Sequence, residues 1–310
     1  MKAANILDTI GKTPLVEVRR MNPNSSVRLF LKLEGFNGVG SVKDRPALYM
    51  IRDALDTGQL RPGMTILEAT SGNTGIAVSM IGQREGFPVT IVAPRSITQE
   101  RKEMFEFYGA EVVYTDGPTT KDSVVHAERM VERDPKYFFL NQYANPANPR
   151  AHYETTGVEI VSDLPEVDVF VAGLGSSGTL MGVGRRLKEH NPNVKVIAVE
   201  PYPGSKLHGL RNLEEDCFIP PILNFEMLDG KRMVRGRNAQ NAVLEAGRKE
   251  GIFLGMSGGA VLHGALQIAQ SMTSGTVVAL MADAGWKYLS VGICKQVAEE
   301  KADDLLAFSW

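Results

Sequence analysis

A lysine amine can do covalent chemistry only where it is kept dry enough to be neutral. Lys43 ends the run Asn37-Gly38-Val39-Gly40-Ser41-Val42-Lys43 and stands where the pattern begins a helix. A desolvated amine loses its proton readily, and can then attack a carbonyl to form a Schiff base or remove a proton from carbon. No Gly-Lys-Ser/Thr sequence surrounds it, so it is not a P-loop lysine. Taken alone it reads as a solvated helix lysine, and its company is what changes that reading. Two glycine-rich turns, Thr70-Ser71-Gly72-Asn73-Thr74-Gly75 and Gly173-Leu174-Gly175-Ser176-Ser177-Gly178-Thr179, each stand between a strand pattern and a helix pattern. Both aim backbone N–H groups at an anion, because the first N–H groups of a helix lack partners and glycine admits a close approach. The second turn formally reads GxGxxG, and Glu200 closes the next strand near where a ribose-binding acid would stand. A dinucleotide site and another kind of phosphate site therefore both remain open there. The first turn, lined by hydroxyls and an amide, suits a carboxylate and has little use in a dinucleotide enzyme.

The elements that must hold these groups follow from the apolar pattern. Short Val-, Ile- and Phe-rich runs at 27–33, 65–69, 89–93, 111–114, 138–140, 167–172, 194–200 and 276–282 alternate with segments of helical spacing. The fold class is α/β, with open, twisted, mostly parallel sheets flanked by helices, the continuous runs being strands buried on both faces. Two prolines and three asparagines in 141–149 exclude a helix or central strand there and suggest a crossover between domains. The segment 201–238 reads as irregular and too long for a simple connection, while Met80, Met104 and Phe107 read as core.

The 310 residues, 43% hydrophobic, suffice for two core-bearing lobes. A net charge of −2 gives no footprint for nucleic acid or an anionic membrane, so small molecules are the expected partners. The N-terminal residues lack a secretory apolar core, which implies a cytoplasmic protein. Cys217 and Cys294 form no CxxC and read as free thiols. His126, His152, His190, His208 and His263 stand apart without metal spacing, and no metal is expected.

Taken in order, Thr13-Pro14-Leu15-Val16, Gly40-Ser41-Val42-Lys43-Asp44-Arg45, the 70–75 turn, Gln142, the 173–179 turn, Glu250-Gly251-Ile252-Phe253 and Lys287-Tyr288-Leu289-Ser290 resemble the cysteine synthase family. These are fold-type II pyridoxal-phosphate enzymes, similar in fold to the tryptophan synthase β chain, and the resemblance covers nearly the whole chain. It implies a smaller substrate-binding domain over 36–146 and a larger domain, built from 1–35 with 147–310, that binds the cofactor phosphate. Lys43 is implied as the Schiff-base lysine and the base that removes the Cα proton. Gly175, Ser176, Ser177, Gly178 and Thr179 are implied to hold the phosphate of pyridoxal 5'-phosphate, and Asn73 the ring hydroxyl. Thr70, Ser71, Thr74 and Gln142 are implied to bind the substrate carboxylate. Ser257 is the first choice for the pyridine-nitrogen partner. Many relatives place serine or threonine where Gly258 stands, and Asp283 lies where others place a ring-contacting residue, so Asp283 is the second choice.

Leu210-Arg211-Asn212, the 282–288 run and the terminal Trp310 resemble the O-phosphoserine-using branch, cysteine synthase B. A guanidinium makes bidentate contacts with a phosphate dianion, so Arg211 is implied as the residue that chooses the substrate. The implied reaction is a β-replacement that makes L-cysteine. Its sulfur comes from the thiocarboxylated tail of a small ubiquitin-like carrier protein, or from free sulfide if the substrate is O-acetylserine. A homodimer is implied, and the apolar tail 303–310 resembles a segment that closes over the site.

Overall fold

The computed structural model describes residues 2–295 except 118, 206 and 217; the expectations for Cys217 and for the 303–310 tail lie outside the described residues. Apolar runs without alternation become interior parallel strands, and Val89–Pro94 is buried at every position. The strands in chain order are β1 (Leu15–Val18), β2 (Val27–Leu33), β3 (Thr65–Ala69), β4 (Val89–Pro94), β5 (Glu111–Thr115), β6 (Tyr137–Phe139), β7 (Val169–Gly173), β8 (Lys195–Pro201), β9 (Gly230–Val234) and β10 (Gly275–Met281).

They form two sheets, a six-stranded one in the order β1-β2-β10-β7-β8-β9 and a four-stranded one in the order β5-β4-β3-β6. All neighbours run parallel except β1, which lies antiparallel to β2. Central β10 shows how a period of two serves two cores: Val277 and Ala279 face one cluster with Leu29 and Val171, whereas Val278 and Leu280 face the other with Phe30 and Phe170. The smaller sheet divides its side chains in the same manner, Ile66 and Ile91 on one face and Leu67 and Val92 on the other.

The eight expected strands all occur, with ends displaced by no more than two residues, and the two that were not expected are β1 and β9. These are the two edges of the larger sheet, where Glu17 in one and Lys231 and Arg232 in the other interrupt the apolar signal. Two further expectations are corrected. Within 141–149 a helix does begin, Ala147–Ala151, because Pro149 sits in its first turn, where no backbone N–H is required. It continues through a π-helical turn, His152–Thr156, into the helix Gly157–Asp163. Within 201–238 lie the short helix Leu213–Asp216 and β9. Phe107 is not core: it is 76% exposed at the end of the helix Gln99–Phe107, which buries Arg101 and Phe105 instead. No helix among the described residues is long and apolar enough to cross a membrane.

Candidate active site

Lys43 immediately precedes the helix Asp44–Asp56. The loop before it is closed by Asp44, which accepts from the Val39 N–H at 2.7 Å and from Ser41 Oγ at 3.1 Å. Burial pushes the Asp44 carboxyl up to about 7 against these bonds. The next residue anchors the helix. Arg45 donates from Nε to Glu34 Oε2 at 2.7 Å and from Nη1 to Glu159 Oε1 at 2.6 Å, while Lys32 Nζ lies 2.8 Å from Glu159 Oε2. Burial would raise the Glu159 carboxyl, and the Arg45 and Lys32 contacts instead hold it at about 2. A lysine flanked by a closed loop and a clamped arginine has little freedom to move.

The Lys43 amine donates to Ser176 Oγ at 3.2 Å. Burial pulls its pKa from 10.5 down to about 8; the nearby Glu68 charge opposes the fall and the Arg211 charge adds to it. It opens onto two contiguous cavities. The outer one, about 130 Å³, is lined by Thr70, Ser71, Asn73, Thr74, Gln142 and Arg211. The inner one, about 50 Å³, is lined by Ser177, Thr179 and Ser257, among others. Lys43, Asn73, Gly175 and Ser176 border both. Of the residues implied to hold the cofactor phosphate or the substrate, Gly178 borders neither among those described; it packs behind the loop against Asn148, whose Oδ1 a Cβ there would strike.

Each nest has a distinct wiring. In the outer cavity Thr74 Oγ1 donates to Gln142 Oε1 at 2.8 Å, and Gln142 Nε2 donates to Glu68 Oε1 at 3.0 Å. Glu68 is fully buried, and burial raises its carboxyl to about 8 against the Gln142 N–H groups. The Arg211 guanidinium lies 5.0 Å from the Tyr143 ring centroid and 5.1 Å from that of Phe218, and Nη1 donates to the Phe218 carbonyl at 3.2 Å. At the seam, Asn73 Nδ2 donates to Asp283 Oδ2 at 2.7 Å and Asn73 Oδ1 accepts from Lys287 Nζ at 3.1 Å. Tyr288 Oη also donates to Asp283 Oδ2 at 2.7 Å.

The lining of the inner cavity suits the chemistry of the phosphate and ring of pyridoxal phosphate. Ser177 sits at φ 72°, a left-handed conformation unusual for a residue with a side chain, at the N-terminus of the helix Gly178–His190. Its buried Oγ has no hydrogen-bond partner among the described residues, and an anion would supply one. Among the described residues no carboxylate lines this cavity, and Val42, Val261, Leu280 and Ala282 offer apolar surface for a ring. Ser257 lies here, in the first turn of the helix Met256–Ser271, whereas Asp283 does not border the cavity.

The sequence did not single out Arg101, Glu68, Tyr143 or Asn148. Arg101 is 3% exposed and donates from Nη1 to the Ser71 carbonyl at 3.1 Å. In Gln99-Glu100-Arg101-Lys102-Glu103 it looks like part of a solvated helix face. Glu68 carried a usable signal, an acid in an otherwise apolar strand just before a glycine turn. Among the described residues no group of three or more His, Cys, Asp or Glu side chains could hold a metal. Glu200, the acid of the dinucleotide alternative, is fully buried and accepts from the Leu213 N–H at 3.3 Å.

Comparison with known proteins agrees with this geometry. The sequence matches the family described as pyridoxal-phosphate dependent enzyme over residues 6–283. It is 40% identical over 299 residues to a cysteine synthase of Aquifex aeolicus, covering 93% of this chain and 91% of that one. It is 39% identical over 291 residues to cysteine synthase B of Escherichia coli, covering 92% and 94%. The fold matches the crystal structure of a cysteine synthase from Entamoeba histolytica with a TM-score of 0.90 at 34% identity, covering 97% and 93%. The chain belongs to the cysteine synthase family of pyridoxal-phosphate-dependent enzymes.

Proposed function

We propose that this cysteine synthase takes O-phosphoserine as its amino-acid substrate, and that Arg211 selects it. The observation that carries this is a guanidinium, 7% exposed, at the border of the outer cavity and close enough to depress the Lys43 pKa. A fixed cation there complements a phosphate ester and has no comparable use for a neutral acetyl ester. Pyridoxal phosphate, when bound, supplies the electron sink that acidifies the substrate Cα–H and loosens the β-substituent.

The protein's own groups do the rest. Gly175, Ser176, Ser177 and Thr179 hold the cofactor phosphate on the inner side, with Gly178 packed behind them against Asn148, and Asn73 meets the ring hydroxyl. Thr70, Ser71, Thr74 and Gln142 hold the substrate carboxylate at the N-terminus of the helix Asn73–Arg84. Lys43 takes the Cα proton and returns it after the sulfur nucleophile has added, so one amine is both anchor and base. Ser257 faces the pyridine nitrogen, since it borders the inner cavity while the Asp283 carboxylate is engaged by Asn73 and Tyr288. A hydroxyl there leaves the ring a weaker sink than a carboxylate would, which favours rapid β-replacement over transamination.

The same reading assigns 36–146 to a smaller substrate-binding domain and places the enzyme in the cytosol as a homodimer. Its sulfur donor is the thiocarboxylated tail of a small ubiquitin-like carrier protein. The test is Arg211→Ala assayed with both esters. Loss of a charged hydrogen-bonding group lowers kcat/KM for O-phosphoserine roughly 10- to 100-fold, with at most a severalfold change for O-acetylserine. Equal losses would remove Arg211 from substrate choice and favour O-acetylserine with free sulfide.

A further inference from the structure

Asn148 lies in the short helix Ala147–Ala151 and is 1% exposed. Its Nδ2 donates to the Gln142 carbonyl at 2.7 Å and to Ser176 Oγ at 3.1 Å. A carbonyl can only accept, so the amide has one orientation, with its nitrogen toward Gln142 and Ser176. Its Oδ1 abuts Gly178, and any Cβ at that position would drive the amide out of place. One buried side chain therefore touches both the segment that carries Gln142 and the loop of the inner cavity.

Ser176 makes this contact more than structural. A hydroxyl has two lone pairs and one proton. Asn148 Nδ2 takes one lone pair, and the Lys43 amine takes the other at 3.2 Å. With both neighbours donating, the Ser176 proton is left for a third direction, on the side of its own loop, where Ser177 and Thr179 border the inner cavity.

We propose that Asn148 is a positioning residue: by bonding Gln142 and Ser176 together it fixes the spacing of the two anion nests and turns the Ser176 hydroxyl proton toward the bound phosphate. The Lys43 amine donates to the same oxygen, at 3.2 Å, when it is not joined to the cofactor. This rests on the reading above, in which the 175–179 loop holds the phosphate and Lys43 is the reactive amine.

The test is a double-mutant cycle on the holoenzyme, using Asn148→Ala, Ser176→Ala and the pair, with the cofactor dissociation constant measured by equilibrium dialysis and visible absorbance. Each single variant weakens cofactor binding about tenfold, the scale of one charge-assisted hydrogen bond, and the pair loses no more than Ser176→Ala alone. The KM for the amino-acid substrate also rises in Asn148→Ala, which loses the tie to Gln142. Additive losses in the pair, or unchanged cofactor binding in Asn148→Ala, would overturn the proposal. If Asn148→Ala does not fold, Asn148→Leu replaces it in the cycle, since it fills a similar space, carries no charge and donates to neither partner; the same outcomes decide. Borohydride trapping on the same samples separates the two levels of inference. Label on Lys43 with additive losses removes only the role of Asn148, whereas label on another lysine removes the site assignment beneath it.

Discussion

The proposed role of Lys43 needs a reactive amine at neutral pH, and burial is what chiefly lowers its pKa, with the Arg211 charge adding to the effect and Glu68 restraining it. The neutral fraction of a lysine whose pKa is lowered to about 8 climbs through that pH, whereas an ordinary lysine remains charged until near 10.5. The rate at which cofactor-free protein recombines with pyridoxal phosphate is expected to rise from pH 7 to 9 and then level off. Borohydride reduction and peptide mapping should put the label on Lys43. Lys43→Ala should remove the label while leaving the circular dichroism spectrum unchanged, and a rate that keeps climbing past pH 10 would contradict the lowered pKa. Lys43 and both glycine turns were legible in the sequence because their residue types are rare in that order. Arg101 and Glu68 were not: a charged residue in a helix or strand says nothing of its exposure until another element packs over it.

The helix Asp44–Asp56 shows how an element is made to hold such a residue still. Its second residue, Arg45, is 1% exposed and joined to Glu34, itself fully buried, and to Glu159. Removing one partner of a buried ion pair leaves the other charge without compensation, typically at a cost of about 3–5 kcal/mol. Arg45→Ala is therefore expected to lower the urea midpoint by a corresponding amount, and a loss under about 1 kcal/mol would show that water already reaches Glu34. Element boundaries were legible where strands are buried on both faces, as in β4 and β10. They failed at β1 and β9, where an edge position tolerates charge and so hides the strand. Pro149 misled for a related reason, because proline breaks a helix interior but is accommodated in its first turn.

Across the whole molecule, the two sheets meet at a polar seam. Asn73 and Arg101 follow strands of the smaller sheet, and they bond to Asp283 and Tyr288, which follow the last strand of the larger one. Ser290 Oγ adds a bond to Glu100 Oε2 at 2.6 Å. On the proposed reading the cofactor sits beside this seam, so it should stabilise the assembly as well as supply chemistry. A ligand at 100 times its Kd contributes about 2.7 kcal/mol to the folded state. Calorimetry is expected to show the Tm falling by several degrees when the cofactor is removed, and equal Tm values would place its binding elsewhere. The division of labour across the seam has an evolutionary reach. On the proposed reading the carboxylate nest grows from β3 and the phosphate nest from β7, and the residue that chooses the ester stands apart from both, after β8. A lineage could exchange one activated serine for another by drift in the loop after β8 that carries Arg211, while its vitamin-derived partner stayed in an unaltered berth.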